Sequence, residues 1–509
     1  MSSTKEVSAL VNRLSKVALR TLPRSVITPA YAPEELGPGI VHLGTGAFHR
    51  AHQAVYTDTA LGDSGGSWRI IGANLRSRTL GDQLANQDHL YTVVSRDGKS
   101  ETLRVIGAIS RIIFAPEHPA GLIEAIGAPQ THIVTLTITE KGYCYAPAVG
   151  GLDTANDLIT HDLQHVEDPR TAPGFLVAGL RARMSQDAGP LTVLSCDNRA
   201  SNGTIIRTVV TEMADRVDPA LATWIDRNVT FPSTMVDRIT PAVTDTDRGR
   251  LENALGVRDG CPVVTEPFTQ WVLEERFVAG RPAWEIGGAT FVEAVEPFEK
   301  MKLRLLNGSH SLMAWLGSVA GYCFVHDVVG ESSFRRLVRV MMDREITPTL
   351  NVSDFDLDTY KDDLLRRFAN PSLRHATRQI AADGSQKLPP RILDPVRERL
   401  AAGKSIDFLA LAVAAWMRYV GGPDENGNPI EVDDPLADTL DRIRRRSLGK
   451  PATLARNLLA LRSIFGDELP AHDRFAETVT AALTQLFDRG VAATVDALLG
   501  QIDATPANR

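Results

Sequence analysis

Apolar residues follow two different rhythms along this chain. Up to about residue 292 they come in short runs closed by glycine, proline or asparagine: Gly39-Ile40-Val41-His42-Leu43, Trp68 to Leu75, Thr131 to Thr139 and Leu191 to Ser195. Runs of that length, rich in branched residues, predict strands buried on both faces. Ala51, Ala54 and Val55 after the first run are spaced for a helix, giving a strand, turn and helix. Tyr91 to Arg96 and Thr102 to Ile106, either side of Asp97-Gly98-Lys99, predict a hairpin appended to the same parallel sheet. After Glu296-Pro297-Phe298 the spacing turns helical almost to the end, in Leu312 to Phe324, Phe334 to Met342, Phe408 to Tyr419 and Val479 to Phe487. Gly330, Gly403 and Gly421-Gly422-Pro423 punctuate these helices. The break predicts an α/β domain over 1–291 and a mostly α-helical domain over 292–509, with a cleft where they meet. Val7, Leu10, Val11, Leu14 and Val17 have helical spacing and predict a short docking helix rather than a targeting peptide.

Composition narrows the partners. The chain has 509 residues, 43% hydrophobic and 23% charged, with a net charge of −7, as expected of a soluble protein of two or three domains. Its acidity is spread out and leaves no basic patch for a phosphate backbone, so a small molecule is the expected partner and nucleic acid is not. Cys144, Cys196, Cys261 and Cys323 form no C-x-x-C pair, which suits a reducing cytoplasm and suggests neither a zinc site nor a disulfide framework. No apolar run reaches the ~20 residues of a membrane span.

The first chemical motif is the turn after the first strand. In Gly44-Thr45-Gly46-Ala47-Phe48-His49, Gly44 allows a sharp bend and Gly46 a close approach of a pyrophosphate to the start of the helix, as in a Rossmann-type dinucleotide-binding domain. His49 stands where the third glycine of G-x-G-x-x-G would be, so the fingerprint is incomplete. Gly44, Thr45, Gly46, Ala47 and Phe48 are candidate cofactor residues. At the end of the second strand, where an acidic residue would hold an adenosine ribose, stand Asn74, Arg76 and Arg78. Two arginines suit a 2′-phosphate equally well, so NAD versus NADP stays open.

Ligands of open α/β sheets bind beyond the carboxyl ends of the strands. Glu140 and Lys141 lie there, as does Asn198, which also suits a turn or helix cap. Val236-Asp237-Arg238 and Thr265-Glu266-Pro267-Phe268 are strand-end clusters of the same kind. In the second half, Glu299 to Ser311 predicts the opening of a long helix. At 3.6 residues per turn Glu299, Lys302, Asn307 and His310 share a face roughly 140° wide, with Lys302 and His310 about 12 Å apart along the axis. A carboxylate, an amine, a carboxamide and an imidazole beside Leu303 and Leu306 make an unusual surface, since burying polar groups is costly. Arg374 to Arg391 predicts a loop, turning at Asp383-Gly384-Ser385, whose cations suit a sugar-acid carboxylate.

Taken in order, Gly44 to His52, Ser195-Cys196-Asp197-Asn198, Met235 to Ile239, Glu266-Pro267-Phe268 and Lys302-x4-Asn307-x2-His310 resemble the long-chain polyol dehydrogenase (mannitol dehydrogenase) family from residue 40 to about residue 500. The resemblance implies metal-free hydride transfer between a nicotinamide, NAD with NADP not excluded, and a polyol or keto-sugar, in a monomer or weak homo-oligomer. It assigns Lys302 as acid/base, Asn198 and Asn307 as the groups polarising the substrate oxygen, His310 as the orienter of the hydroxyl and Glu299 as a proton gate. Thr139 to Cys144, Asn370 to His375 and Gln379 through Arg391 resemble the fructuronate reductase (mannonate oxidoreductase) branch, with Asp237, Arg374, Gln379 and Lys387 as substrate residues. Gln379 stands where mannitol dehydrogenases typically carry arginine, eight residues before the lysine. Thr265 and Thr269 depart from the cysteine and arginine usual around Glu-Pro-Phe in fructuronate reductases, so mannitol or arabinitol remains the alternative substrate.

Overall fold

The buried runs of the first half pair as a six-stranded parallel sheet. Its strands are β1 (Pro38–Leu43), β2 (Arg69–Asn74), β3 (Ile109–Phe114), β4 (Ile133–Leu136), β5 (Leu191–Ser195) and β6 (Val229–Thr230). In space they run β6-β5-β4-β1-β2-β3, every pair parallel, the order of a doubly wound dinucleotide fold. Side chains alternate between two cores on opposite faces: Val41, Ile71, Val134 and Val193 on one, Ile40, Ile70, Ile133 and Leu194 on the other. Both faces are covered, which is why these strands read as continuous apolar runs. The structure, a computed structural model, describes residues 13–98, 100–353 and 355–504. Two compact units result, Met1–Glu296 and Pro297–Arg509.

Three expectations for the first unit are corrected. The fourth strand ends at Leu136 and not Thr139, because the Asp197 carboxylate takes the amides of Ile138 and Thr139 out of the ladder, at 2.9 and 3.2 Å. The hairpin Tyr91–Arg96/Glu101–Ile106 is not appended to the parallel sheet; it forms a separate four-stranded sheet with Val26–Ile27 and Val263–Thr265. Bonds from the Tyr91 hydroxyl to the Arg50 carbonyl and from the Thr92 amide to Asp259 hold it there, at 2.8 and 2.6 Å. Thr234–Asp237 likewise belongs to a small sheet of its own, with Gln270–Glu274 and Thr290–Val292. Most of the expected N-terminal helix lies outside the described residues. Of its last two apolar positions, Leu14 is buried and Val17 is 80% exposed, next to a 3₁₀ turn at Ala18–Thr21.

The second unit is built of helices around Asp407–Gly421, which is buried from Phe408 to Val420 and packs on Ser309–Val319 and Asp473–Arg489. The segment around Lys302 is not one α-helix: Glu296–Met301 gives way to a π-helix, Lys302–Gly308, before α-geometry resumes at Ser309–Val319. Two more π segments occur among the described residues, Met342–Ile346 and Pro389–Leu393. Glu345 in the former accepts the amides of Phe408 and Leu409 at 3.2 and 2.8 Å, satisfying the start of the central helix. The stretch expected as a loop over 374–391 is mostly helical, Thr377–Ala381 and then Gly384–Leu388. Its turn is confined to Ala382 and Asp383, the latter at φ +53°, and the Asp434 carboxylate captures the Ser385 amide and hydroxyl at 2.7 and 2.6 Å.

Candidate active site

The glycine turn is held from below. Gly44 has φ +96°, and a Cβ there would lie 2.2 Å from the Thr137 carbonyl oxygen, so only glycine fits. His42 Nε2 lies 3.1 Å from the Gly44 carbonyl oxygen and its Nδ1 2.7 Å from the Thr135 hydroxyl. With a carbonyl at Nε2, that nitrogen carries the proton and Nδ1 accepts from Thr135. His49, in the third-glycine position, stacks on His42 with ring centroids 3.4 Å apart, and both are fully buried. Burial pushes His42 down to about 3 and His49 well below its ordinary value, so the pair is neutral. This stack fills the space between strand and helix that a third glycine would close.

Above the turn lies a cleft of about 890 Å³, lined among others by Gly44, Gly46, Asn74, Arg76, Thr139, Lys141 and Thr171. Asn74 holds the turn by accepting from the Thr45 amide and hydroxyl. A Cβ on Gly46 would meet only the Gly44 carbonyl oxygen, at 3.9 Å, so the hydrogen there keeps the turn open for close backbone approach. A bare backbone turn, an open groove and polar groups at strand ends fit a dinucleotide. Of the two arginines, Arg76 lines the groove, whereas Arg78 is tied to Asp82 and Glu117 at 3.0 and 2.9 Å.

Asn198 is exposed on the loop after β5, and its neighbours fix the loop. Asp197 receives the Tyr143 hydroxyl at 2.8 Å, and Asn202 donates to the Asp197 and Thr234 carbonyls at 3.0 and 2.9 Å. Burial raises the Asp197 carboxyl despite these donors. Asp237 is buried at the end of its strand, next to Arg238, which donates to the Glu266 carbonyl.

In the second unit Lys302 is 7% exposed and opens the π segment. Bonds from i to i+5 widen the turn and bring residues five apart nearer to one face, so Asn307 lies closer in angle to Lys302 than in an α-helix, which would splay them by about 140°. Arg304 between them is anchored by a two-pronged ion pair with Glu398, at 2.7 and 2.6 Å, and by the Thr349 carbonyl at 3.1 Å. The Arg304 bonds hold Glu398 at about 2, well below the carboxylate range. His310 packs on Phe368 and His375, with centroids 4.5 and 5.6 Å away. Glu299 is half-buried in the helix before the segment. Among the described residues no group of three or more His, Cys, Asp or Glu is arranged to hold a metal.

The Rossmann-domain model of the mannitol dehydrogenases matches residues 38–286 and the model of their C-terminal domain matches 294–487. The chain belongs to the mannitol dehydrogenase family. It is a dehydrogenase of secondary alcohols with a Rossmann-type and a mostly helical domain. D-mannonate oxidoreductase of Escherichia coli is 46% identical over 479 residues, 93% of this chain and 98% of that one. An uncharacterized oxidoreductase of the same bacterium, YeiQ, is also 46% identical, over 94% and 98% of the two chains. The mannitol 2-dehydrogenase of Pseudomonas fluorescens, solved as a ternary complex with NAD and D-mannitol, is 39% identical, with a TM-score of 0.78 over 96% of this chain and 100% of that one.

The remaining expected substrate residues of this family member are spread over the second unit. Lys387 is half-buried and donates to the Ile380 carbonyl at 3.2 Å; burial first, then the charge of Arg391, lowers its ammonium below the ordinary lysine value. Gln379 is exposed on its short helix. Arg374 is exposed, at φ +42°, with its guanidinium 4.9 Å from the Phe324 ring centre. Sequence reasoning missed the groove wall made by Leu80, Pro116, Arg170, Thr171 and Phe175. These come from three separate stretches with no glycine signature, and only the fold brings them together. The same reasoning counted Arg391 only among the cations of the 374–391 stretch and did not foresee that Arg391 bonds directly to the Asn307 backbone.

Proposed function

We propose that this protein interconverts D-mannonate and D-fructuronate by NAD-linked hydride transfer, with Lys302 as the acid/base. The observation that carries the reading is the π segment Lys302–Gly308, which buries an amine and brings a carboxamide nearer to its face of the helix. When bound, NAD supplies the nicotinamide that takes the hydride, and the Gly44 to Phe48 turn with Asn74 and Arg76 holds it. Oxidising an alcohol also needs a place for the hydroxyl proton. Lys302 takes that proton, and Glu299, one turn earlier, passes it toward solvent. Asn198 and Asn307 donate to the oxygen as it becomes an alkoxide, each contributing about 3 kcal/mol in the manner of an oxyanion-hole donor. His310 orients the hydroxyl. Asp237 and Gln379 bind the remaining hydroxyls, and Lys387 with Arg374 faces the carboxylate.

The 46% identity to a D-mannonate oxidoreductase supports a sugar acid, and the NAD complex of the Pseudomonas relative supports NAD. That relative's D-mannitol complex favours an uncharged polyol as the second reading. Reduction of NAD and of NADP, followed by absorbance with D-mannonate, D-mannitol and D-arabinitol at equal concentration, separates the two. Turnover is expected with D-mannonate and NAD; turnover confined to the uncharged polyols would replace this reading with the second.

A further inference from the structure

Arg391 and Lys387 lie four residues apart on one helical run, and among the described residues neither has a carboxylate partner. Arg391 belongs to the π segment Pro389–Leu393, which packs against the Lys302–Gly308 segment so closely that a Cβ on Gly308 would lie 3.2 Å from the Arg391 carbonyl oxygen. Its Nη1 reaches the Asn307 carbonyl oxygen at 3.4 Å and the Ser311 hydroxyl at 3.1 Å. Both partners are neutral. Burial alone draws the guanidinium down to about 10, with no acidic side chain acting on it. Lys387 feels Asp383, Asp433 and Asp434, yet among the described residues its ammonium bonds only to the Ile380 carbonyl. Asp434 is engaged by the Ser385 amide and hydroxyl.

Arg304 on the adjoining π segment makes the contrast. It is buried, where Arg391 is half-buried, and carries a full two-pronged partner in Glu398. Desolvated cations in proteins are normally matched by anions, because leaving them unmatched is expensive. A chain that supplies Arg304 with a carboxylate and leaves Arg391 beside Lys387 without one is arranged for an anion from outside. Nε and Nη2 of Arg391 are not used in its protein bonds, and a guanidinium edge matches a carboxylate in two-pronged fashion.

We infer that Arg391 is a specificity-determining residue: with Lys387 it forms the subsite for the carboxylate of an aldonate or uronate, and its bond to Asn307 ties that subsite to the Lys302 segment. The inference rests on the sugar-acid reading above and moves the partnership with Lys387 from the exposed Arg374 to Arg391. It implies that charge, rather than chain length or hydroxyl configuration, separates preferred from poor substrates.

The test is calorimetric titration of the full-length protein with NADH, where no oxidation proceeds, using D-mannonate and its uncharged amide, D-mannonamide. Arg391→Gln and, separately, Lys387→Met are expected to weaken D-mannonate by roughly thirty-fold or more, the loss of a charged hydrogen-bonded pair, while D-mannonamide changes little. Arg391→Lys is expected to recover part of the D-mannonate affinity. Equal weakening of both ligands by Arg391→Gln would make the residue a packing element and overturn the inference, as would wild-type protein binding the acid no more tightly than the amide. If the wild type binds D-mannonate through these residues but does not oxidise it, the subsite stands and the proposed reaction fails.

Discussion

Gly44 and Gly46 sit two residues apart and do different things. The first is conformational: φ +96° and a backbone oxygen 2.2 Å from any Cβ leave no room for a side chain. Gly44→Ala is expected to cost about 2 kcal/mol or more, read as a lower urea midpoint. Gly46 has an ordinary φ of −66° and open space, so Gly46→Val should leave that midpoint nearly unchanged and weaken NADH binding instead. The histidine stack beneath the turn sets a pH limit. His42 and His49 stay neutral in the fold, while each takes up a proton in the unfolded chain below about pH 6.5. The unfolded state then binds more protons, so stability, full above about 6.5, falls as pH drops toward 3, by up to about 1.4 kcal/mol per pH unit for each histidine. Urea midpoints at about pH 7 and pH 5.5 should show that loss, and His49→Phe, which keeps a stacked ring without the titration, should roughly halve it. At this scale the residue types were legible from the sequence, and the missing third glycine was noticed. That His49 would stack on His42 was not, because the stack depends on the packing of strand against helix.

The strands and helices announced themselves by period, and a parallel sheet, though not its strand order, followed from buried runs alternating with helical spacing. Period fails where the backbone leaves α-geometry. Over Lys302 to Gly308 the spacing of 3.6 puts Lys302 and Asn307 at the two edges of a wide face, whereas i to i+5 bonding brings them closer together around the axis. No residue type marks a π segment, so this could be found only in coordinates. The Arg374 to Arg391 stretch misled in the opposite direction, since a strong turn signal at Asp383-Gly384 belongs to two residues between helices. Arg304, anchored by Glu398 and the Thr349 carbonyl, is what keeps the π segment in place. Arg304→Met is expected to cost about 2 kcal/mol, the range for hydrogen bonds to charged groups, and to lower kcat more than it raises KM. Unaltered kcat in a variant with a lowered unfolding midpoint would separate the segment's shape from its chemistry.

Across the whole molecule, the labour divides between two units. The proposed dinucleotide groove is made from residues of Met1–Glu296, and the proposed acid/base belongs to Pro297–Arg509. The change in apolar rhythm near residue 292 was visible without coordinates; the groove wall, drawn from three distant stretches, was not. If the division holds, removing the amine of Lys302 disables proton transfer without touching the residues that line the groove. The decisive measurement pairs initial rates of NAD reduction by D-mannonate with NADH fluorescence titration, for wild type and Lys302→Ala. The expected result is a fall in kcat of roughly a hundred-fold or more, the usual contribution of a general acid/base, with NADH affinity unchanged. A Lys302→Ala protein that turns over within about two-fold of wild type would contradict the account, because a general base contributes far more than that.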